Sequence, residues 1–320
     1  MAIPILLLLA GFAILIKGAD FLVSGASAIA KQFGISNLAI GLTVVAFGTS
    51  TPEFIVSLMA ALDGKPDASF GNIIGSNNFN ILFILGVSGL ICPLTVQRNT
   101  IKYEVPISFF AAILLFVLVN DTMIHGGGVT LLSRIDSGIL LLFFLGFLFY
   151  IYRTMSVSGT NGDESAIKIY RLPVAVGMVV GGLAMLVGGG KLVVDNAILI
   201  AQEFGLSEKI IGLTILAAGT SLPELATSAL AAYRRNADIA IGNVVGSNIF
   251  NILFILSITG FVNPIPYNPE LNFDIYVVCG ATIALMIFMF TMKRRRLDRV
   301  EAVLFLGAYV AYTLRLIGME

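Results

Sequence analysis

Gly48-Thr49-Ser50-Thr51-Pro52-Glu53 recurs as Gly219-Thr220-Ser221-Leu222-Pro223-Glu224, a displacement of 171 positions. The same displacement carries Gly71-Asn72-Ile73-Ile74-Gly75-Ser76-Asn77-Asn78-Phe79-Asn80 onto Gly242-Asn243-Val244-Val245-Gly246-Ser247-Asn248-Ile249-Phe250-Asn251, and Ile-Leu-Phe-Ile-Leu follows in both. Upstream, Phe33-Gly34-Ile35-Ser36 and Gly41-Leu42-Thr43 match Phe204-Gly205-Leu206-Ser207 and Gly212-Leu213-Thr214. One shift that holds across separate motifs is the mark of a duplicated unit.

The duplicated unit belongs in a membrane. Of 320 residues, 58% are hydrophobic and only 12% charged, about half the charged share of an ordinary soluble protein. Apolar runs long enough to cross a hydrocarbon core of about 30 Å recur along the chain. Breaks rich in Gly, Pro and charge divide them into about ten spans, starting near residues 3, 37, 69, 104, 134, 172, 208, 240, 272 and 299. The polar stretch between Arg153 and Arg171 reads as a linker, so the expected units are 1–152, a cytoplasmic linker 153–171, and 172–320. Met1 to Ile16 lacks a basic leader and reads as the first span of the chain.

Five spans per unit is an odd number, so the second unit enters the bilayer in the opposite sense. The expected fold is therefore an all-α integral membrane protein of about ten transmembrane helices in two inverted five-helix repeats. Basic residues give the orientation, because cytoplasmic loops are enriched in Lys and Arg. With both termini outside, the inner loops hold Lys31, Arg98, Lys102, Arg153, Lys168, Arg171, Arg234, Arg235, Lys293, Arg294, Arg295, Arg296 and Arg299, and the outer side keeps Lys65, Arg134, Lys209 and Arg315. This places the chain in the cell (inner) membrane as a multi-pass protein. The zero net charge offers nothing to nucleic acid. No obligatory protein partner is legible, so the expected surroundings are the bilayer and the ions.

Glu53 and Glu224 lie inside apolar stretches at equivalent positions, where a carboxylate is costly unless paired or solvated. Inversion brings equivalent positions near the pseudo-two-fold axis, where two carboxylates repel unless a cation lies between them. Pro52 and Pro223 lack an amide hydrogen, and Gly48 and Gly219 loosen the same turn, so each helix should break there. The break is expected to release carbonyls at or beside those glycines, including those of Ala46 and Ala217, as ligands. Thr49, Ser50, Thr220 and Ser221 add hydroxyl oxygens within a turn of each glutamate. Ca²⁺ takes about six to eight such hard oxygens, and Na⁺ accepts the same kinds.

In the second motif, Gly71 with Gly75 and Gly242 with Gly246 permit close helix approach. Helical spacing puts Ser76 and Asn80, and likewise Ser247 and Asn251, on one polar stripe. Asn72, Asn77, Asn243 and Asn248 fit interhelical hydrogen bonding as well as an ion site. Lys17, Asp20, Lys191 and Asp195 do not match between repeats and read as helix-end or local pairs. Cys92 and Cys279 lack metal-ligand spacing and read as packing residues, and His125 sits in a Gly-rich loop without a partner for a softer metal. The chain has no HExxH and no nucleophile elbow, so it reads as no enzyme, without cofactor.

On its two GTS-x-PE motifs, each followed by GN-x-x-GSN-x-x-N, the sequence resembles the sodium/calcium exchanger branch of the cation/calcium exchanger superfamily, in particular its prokaryotic calcium/sodium antiporters. The resemblance covers nearly the whole chain. It implies a central site that binds Na⁺ and Ca²⁺ in alternation, with Glu53 and Glu224 as carboxylates. The site would be completed by Thr49, Ser50, Ser76 and Asn80, by Thr220, Ser221, Ser247 and Asn251, and by the carbonyls of Ala46 and Ala217. Many members carry Asp at the position of Asn251, whereas this chain has Asn in both repeats. The implied activity is Na⁺/Ca²⁺ antiport. A Ca²⁺/H⁺ exchanger and a K⁺-dependent exchanger stay open, because buried carboxylates also take up protons. A cation channel could use the same groups.

Overall fold

The computed structural model describes residues 2–120, 130–154, 170–204, 217–291 and 294–318. The apolar runs fold as helices: α1 (Ile3–Phe33), α2 (Asn37–Thr49), α3 (Thr51–Leu62), α4 (Pro66–Ile91), α5 (Thr100–Val119) and α6 (Arg134–Thr154) in the first repeat. In the second, α7 (Leu172–Glu203), α8 (Ala217–Gly219), α9 (Leu222–Tyr233), α10 (Ala237–Val262), α11 (Pro269–Phe288) and α12 (Arg299–Ile317) follow in the same order. Among the described residues eight helices are long and apolar enough to cross a membrane, and the bent pair α2–α3 makes nine. The remaining span of the expected ten ends in α8–α9, and its first part, 205–216, lies outside the described residues. So do most of the expected linker, His125, Lys209 and Lys293.

The inversion is visible where equivalent helices meet. Along the α1–α7 seam, a Cβ added at Gly11 would meet Gly189, one at Gly18 would meet Gly182, and one at Gly25 would meet Ala175, each within about 3 Å of backbone. The pairing runs antiparallel. Gly11 and Gly18 are the repeat equivalents of Gly182 and Gly189, so the seam is its own image under a two-fold rotation. Small residues let these two backbones approach without the driving force that water supplies to soluble bundles. The seam has its own apolar cluster around Leu15, Ala19, Leu22, Leu186 and Val193, separate from the main core.

That main core is built on α4 and α10, whose most apolar windows are 78% and 94% buried, against 22–33% for the other full-length spans. These two helices carry the GN-x-x-GSN-x-x-N motif. Gly242 and Gly246 press α10 against the backbone of Leu38 and Leu42 in α2, as their spacing predicts; the repeat equivalents of Leu38 and Leu42 lie outside the described residues. Two small antiparallel ladders also tie the repeats together. Leu94–Thr95 (β1) pairs with Arg296–Leu297 (β4), and Leu131–Leu132 (β2) pairs with Ile265–Pro266 (β3). They lie in the connections, and the membrane part is all helical.

The two repeats do not pack alike. α1 packs along α9, whereas the equivalent pair α7 and α3 is almost without contact. At the end of α9, Arg234 is paired with Asp20 of α1 and donates to Ser24 Oγ at 2.6 Å. Asp20 is therefore more than the local partner of Lys17 expected from the sequence, although that contact exists at 3.6 Å. Lys191 and Asp195 do form a local pair, at 3.7 Å.

Candidate ion site at the repeat interface

Both helix breaks occur where Pro and Gly place them. Ser50 (φ −81°, ψ 7°) and Ser221 (φ −89°, ψ 9°) leave the helical region, and α2 and α3 meet at 46°. Pro52 and Pro223 then occupy the first turn of α3 and α9, where a missing N–H is harmless. Glu53 and Glu224 fall in the same first turns, where the positive end of the helix dipole favours a carboxylate. The break leaves the carbonyl of Gly48 without the amide of residue 52, while Ala46 O keeps its helical bond from Ser50 N–H at 3.0 Å and, as a carbonyl with two lone pairs, has acceptor capacity beyond it. The helix yields at Ser50 and Pro52, beyond the turn that Ala46 closes. Ala217 opens the described part of its helix.

The glutamates are buried at 1% exposure, and each is held by a serine of the other repeat. Ser221 donates to Glu53 Oε1 at 2.8 Å, and Ser50 donates to Glu224 Oε1 at 3.0 Å. Ser76 and Ser247 add longer bonds to the same oxygens, at 3.4 and 3.5 Å. Ser221 also lies 3.0 Å from Ser76. Thr49 donates to Asn243 Oδ1 at 3.0 Å and Thr220 to Asn72 Oδ1 at 3.2 Å, again across the interface. Those two asparagines brace the glutamate helices: Asn72 Nδ2 reaches Glu53 O and Ser57 Oγ, and Asn243 Nδ2 reaches Glu224 O and Ser228 Oγ.

A second reciprocal set lies on α4 and α10. Asn77 and Asn248 donate to each other's main-chain carbonyls, both at 3.3 Å. Asn80 Nδ2 donates to Asn248 Oδ1 and Asn251 Nδ2 to Asn77 Oδ1, both at 2.9 Å. Asn80 and Asn251 each stand in a π-helical stretch, Phe79–Ile84 and Phe250–Ile255, of identical sequence. Such wide turns cluster at functional sites. The sequence spacing implied an unbroken α-helical stripe and held no sign of them.

The bonds leave a specific remainder. Among the buried side-chain atoms without a partner are Glu53 Oε2, Glu224 Oε2, Asn80 Oδ1 and Asn251 Oδ1, two from each repeat. Buried oxygens in low dielectric are expensive to leave unmatched, and four hard oxygens, two of them on carboxylates, suit Na⁺ or Ca²⁺. Among the described residues no three His, Cys, Asp or Glu side chains gather to hold a softer metal.

The family model for the sodium/calcium exchanger protein matches residues 3–153 and 174–318, once per repeat. The chain belongs to the sodium/calcium exchanger family. Within the family's wider kin it is 37% identical to the putative antiporter CaxA of Alkalimonas amylolytica, over 98% of each chain. It is 38% identical to the inner membrane protein YrbG of Escherichia coli, over 82% of this chain and 81% of that one. A solved structure of the sodium-calcium exchanger NCX_Mj, soaked with zero Na⁺ and Ca²⁺, superposes with a TM-score of 0.82 at 32% identity, covering 99% of this chain and 100% of that one. Family membership and this likeness agree with ten helices in two inverted repeats.

The structure joins the two glutamates to Ser50, Ser76, Ser221 and Ser247, sets Thr49 and Thr220 on the asparagines that brace the glutamate helices, and holds Asn80 and Asn251 in the asparagine ring between α4 and α10. The four other motif asparagines, left undecided between packing and site, prove to be the scaffold. Their signal was present in the identical repeat positions, but the choice of partner was not.

Proposed function

We propose that this chain is a secondary antiporter exchanging Na⁺ for Ca²⁺ by alternating access, with one ion cavity between Glu53 and Glu224. The observation that carries the reading is the pair of buried carboxylates, one from each inverted repeat, each with one oxygen bonded across the interface and one left unmatched. The ligands would be those unmatched oxygens with Asn80 and Asn251, supported by Ser50, Ser76, Ser221 and Ser247. Thr49 and Thr220 would contribute through their remaining lone pairs.

Coupling follows from charge. A cavity with two uncompensated carboxylates resists closure in a low dielectric, and either cation removes that penalty. The empty carrier should therefore not cross. The unequal packing of α1 against α9 and of α7 against α3 fits a conformation closed at one end. With both termini outside, as the Lys and Arg distribution supports, the end closed by Arg234 is cytoplasmic and the cavity opens outward. The units are 1–152 and 172–320 with a cytoplasmic linker, and the setting is the inner membrane, as the name of the relative YrbG supports.

Liposomes containing the purified protein and loaded with Ca²⁺ test this. Release is expected on adding external Na⁺ at equal pH on both sides. Release that needs only a pH gradient would assign H⁺ exchange instead. An absolute need for K⁺ would assign the K⁺-dependent form, and release without any counter-ion would assign a channel.

A further inference from the structure

The turn that ends α9 and the turn that ends α3 have the same backbone and opposite charges. Arg234-Arg235-Asn236 is the repeat equivalent of Asp63-Gly64-Lys65, at the displacement of 171 positions. Arg235 and Gly64 both take positive φ, 59° and 70°. The amides of Arg234 and Asp63 each reach the carbonyl four residues back at 2.9 Å, and those of Asn236 and Lys65 the carbonyl five back at 2.8 Å. The helices that could face these turns are reversed in the same way. Where α1 has Asp20 and Ser24, α7 has Lys191 and Asp195.

One of the two ends is engaged. Arg234 pairs with Asp20 and donates to Ser24 Oγ, and Asn236 Nδ2 donates to Ser27 Oγ at 3.3 Å, so the turn after α9 is tied to α1. At the other end Lys191 is paired within its own helix, with Asp195 at 3.7 Å, and both side chains are more than half exposed. Such a pair is worth little and exchanges partner readily. Among the described residues Asp63 and Lys65 form no ion pair. Nothing local calls for Asp63, which caps the C-terminal end of α3, where the helix dipole disfavours a carboxylate. Arg234 at the same place on α9 is favoured by that dipole.

Alternating access in inverted repeats rocks one part against the other around a fixed site. The two-fold relation makes the second conformation the image of the first with the halves exchanged, so α7 then lies along α3 as α1 lies along α9 here. Resting on the antiport reading above, we propose that the end opposite Arg234 is closed in that conformation by a salt bridge of reversed polarity, Lys191 of α7 on Asp63 at the end of α3. Asp195 and Lys65 stand beside them as a second pair of opposite charges. The reversal has a physical reason. Cytoplasmic helix ends carry the excess of Lys and Arg, so in the orientation above the inner end shows Arg234 and takes its acid from α1. The outer end shows an acid and takes its cation from α7. Each bridge stabilises one conformation, and the two together set the balance between them.

The full-length protein in liposomes tests the pair. Asp63→Lys puts a cation opposite Lys191 and is expected to slow Na⁺-driven ⁴⁵Ca²⁺ exchange about tenfold, as like charges brought together require. Adding Lys191→Asp restores the attraction and should return the rate to within about threefold of the parent. Both positions are exposed, so melting should be unchanged in either variant. Asp63→Lys exchanging as fast as the parent, or staying slow once Lys191→Asp is added, would overturn the pair and leave Na⁺/Ca²⁺ antiport standing. A second readout needs no transported ion to be identified. Cysteines at positions 63 and 191, with Cys92 and Cys279 replaced by Ser, should form a disulfide on mild oxidation, and its absence would also overturn the pair. Failure of the parent to exchange Ca²⁺ for Na⁺ would remove the antiport reading instead, and the disulfide would then decide the pair alone.

Discussion

Replacing Glu53 by Gln changes charge with little change of shape. Glu53 Oε1 accepts from Ser221 at 2.8 Å and from Ser76 at 3.4 Å, and a glutamine carbonyl oxygen accepts both bonds in the same place. The amide nitrogen then takes the position of Oε2, the oxygen without a partner, and turns two N–H donors toward the cation. Removing one member of a buried charged set costs about 3–5 kcal/mol. Read as affinity, this is a loss of roughly two to nearly four decades for Ca²⁺. The fold should survive, because the serine bonds are kept and the buried volume is unchanged. The assay is Na⁺-driven ⁴⁵Ca²⁺ uptake into liposomes beside Ca²⁺ binding by calorimetry, with melting and gel filtration as controls. Glu224→Gln should behave in the same way through Ser50 and Ser247. If both variants, well folded, bind and transport Ca²⁺ within threefold of the parent, the two carboxylates are not the ligands and the cavity charge argued above has no role.

Asn77→Leu removes the acceptor for the Asn251 amide and the donor to Asn248 O, and a buried donor left unpaired costs about 1–3 kcal/mol; we expect weaker Ca²⁺ binding together with a lower melting temperature, and unaltered binding would show that the ring does not orient the ligands. Gly18→Val sets a side chain against Gly182 O and Leu186 N at about 3 Å, an overpacking of about 1–3 kcal/mol, so melting should fall, and a variant as stable as the parent would deny the close seam. Arg234→Gln breaks the tie to Asp20 and Ser24 that joins α9 to α1. A cysteine introduced at Ser27 in that background should react faster with a water-soluble thiol reagent, and an unchanged rate would show that the pair does not hold this end closed.

How much of the site was legible depends on how local its causes are. Pro52 and Gly48 act on their own turn, so the break, and with it the position of Glu53 in a first helical turn, could be read directly. The two-fold relation followed from a constant shift and an odd number of spans, and the antiparallel meeting of Gly11 with Gly189 and Gly18 with Gly182 is its consequence. Ala46 shows the limit of local reasoning: the carbonyl freed by a proline is the one four residues back, that of Gly48, and Ala46 keeps its own helical partner, which the sequence did not reveal. The Asp20–Arg234 pair was missed because its members stand 214 positions apart and the equivalent positions carry the reversed charges, Lys191 and Asp63, so the match is not one of identity.

By itself the sequence determined a duplicated membrane protein, its oppositely directed halves and the candidate residues of its site, because hydropathy, proline and repetition act along the chain. Only the tertiary structure decided which oxygen is bonded and which is left without a partner. A hydrogen bond depends on direction and on a partner brought from the other repeat, as Asn80 and Asn251 show. Their carboxamides could have faced the cavity with either end, and it is Asn248 and Asn77, placed beside them by the packing of α4 against α10, that hold the nitrogens and turn the oxygens free.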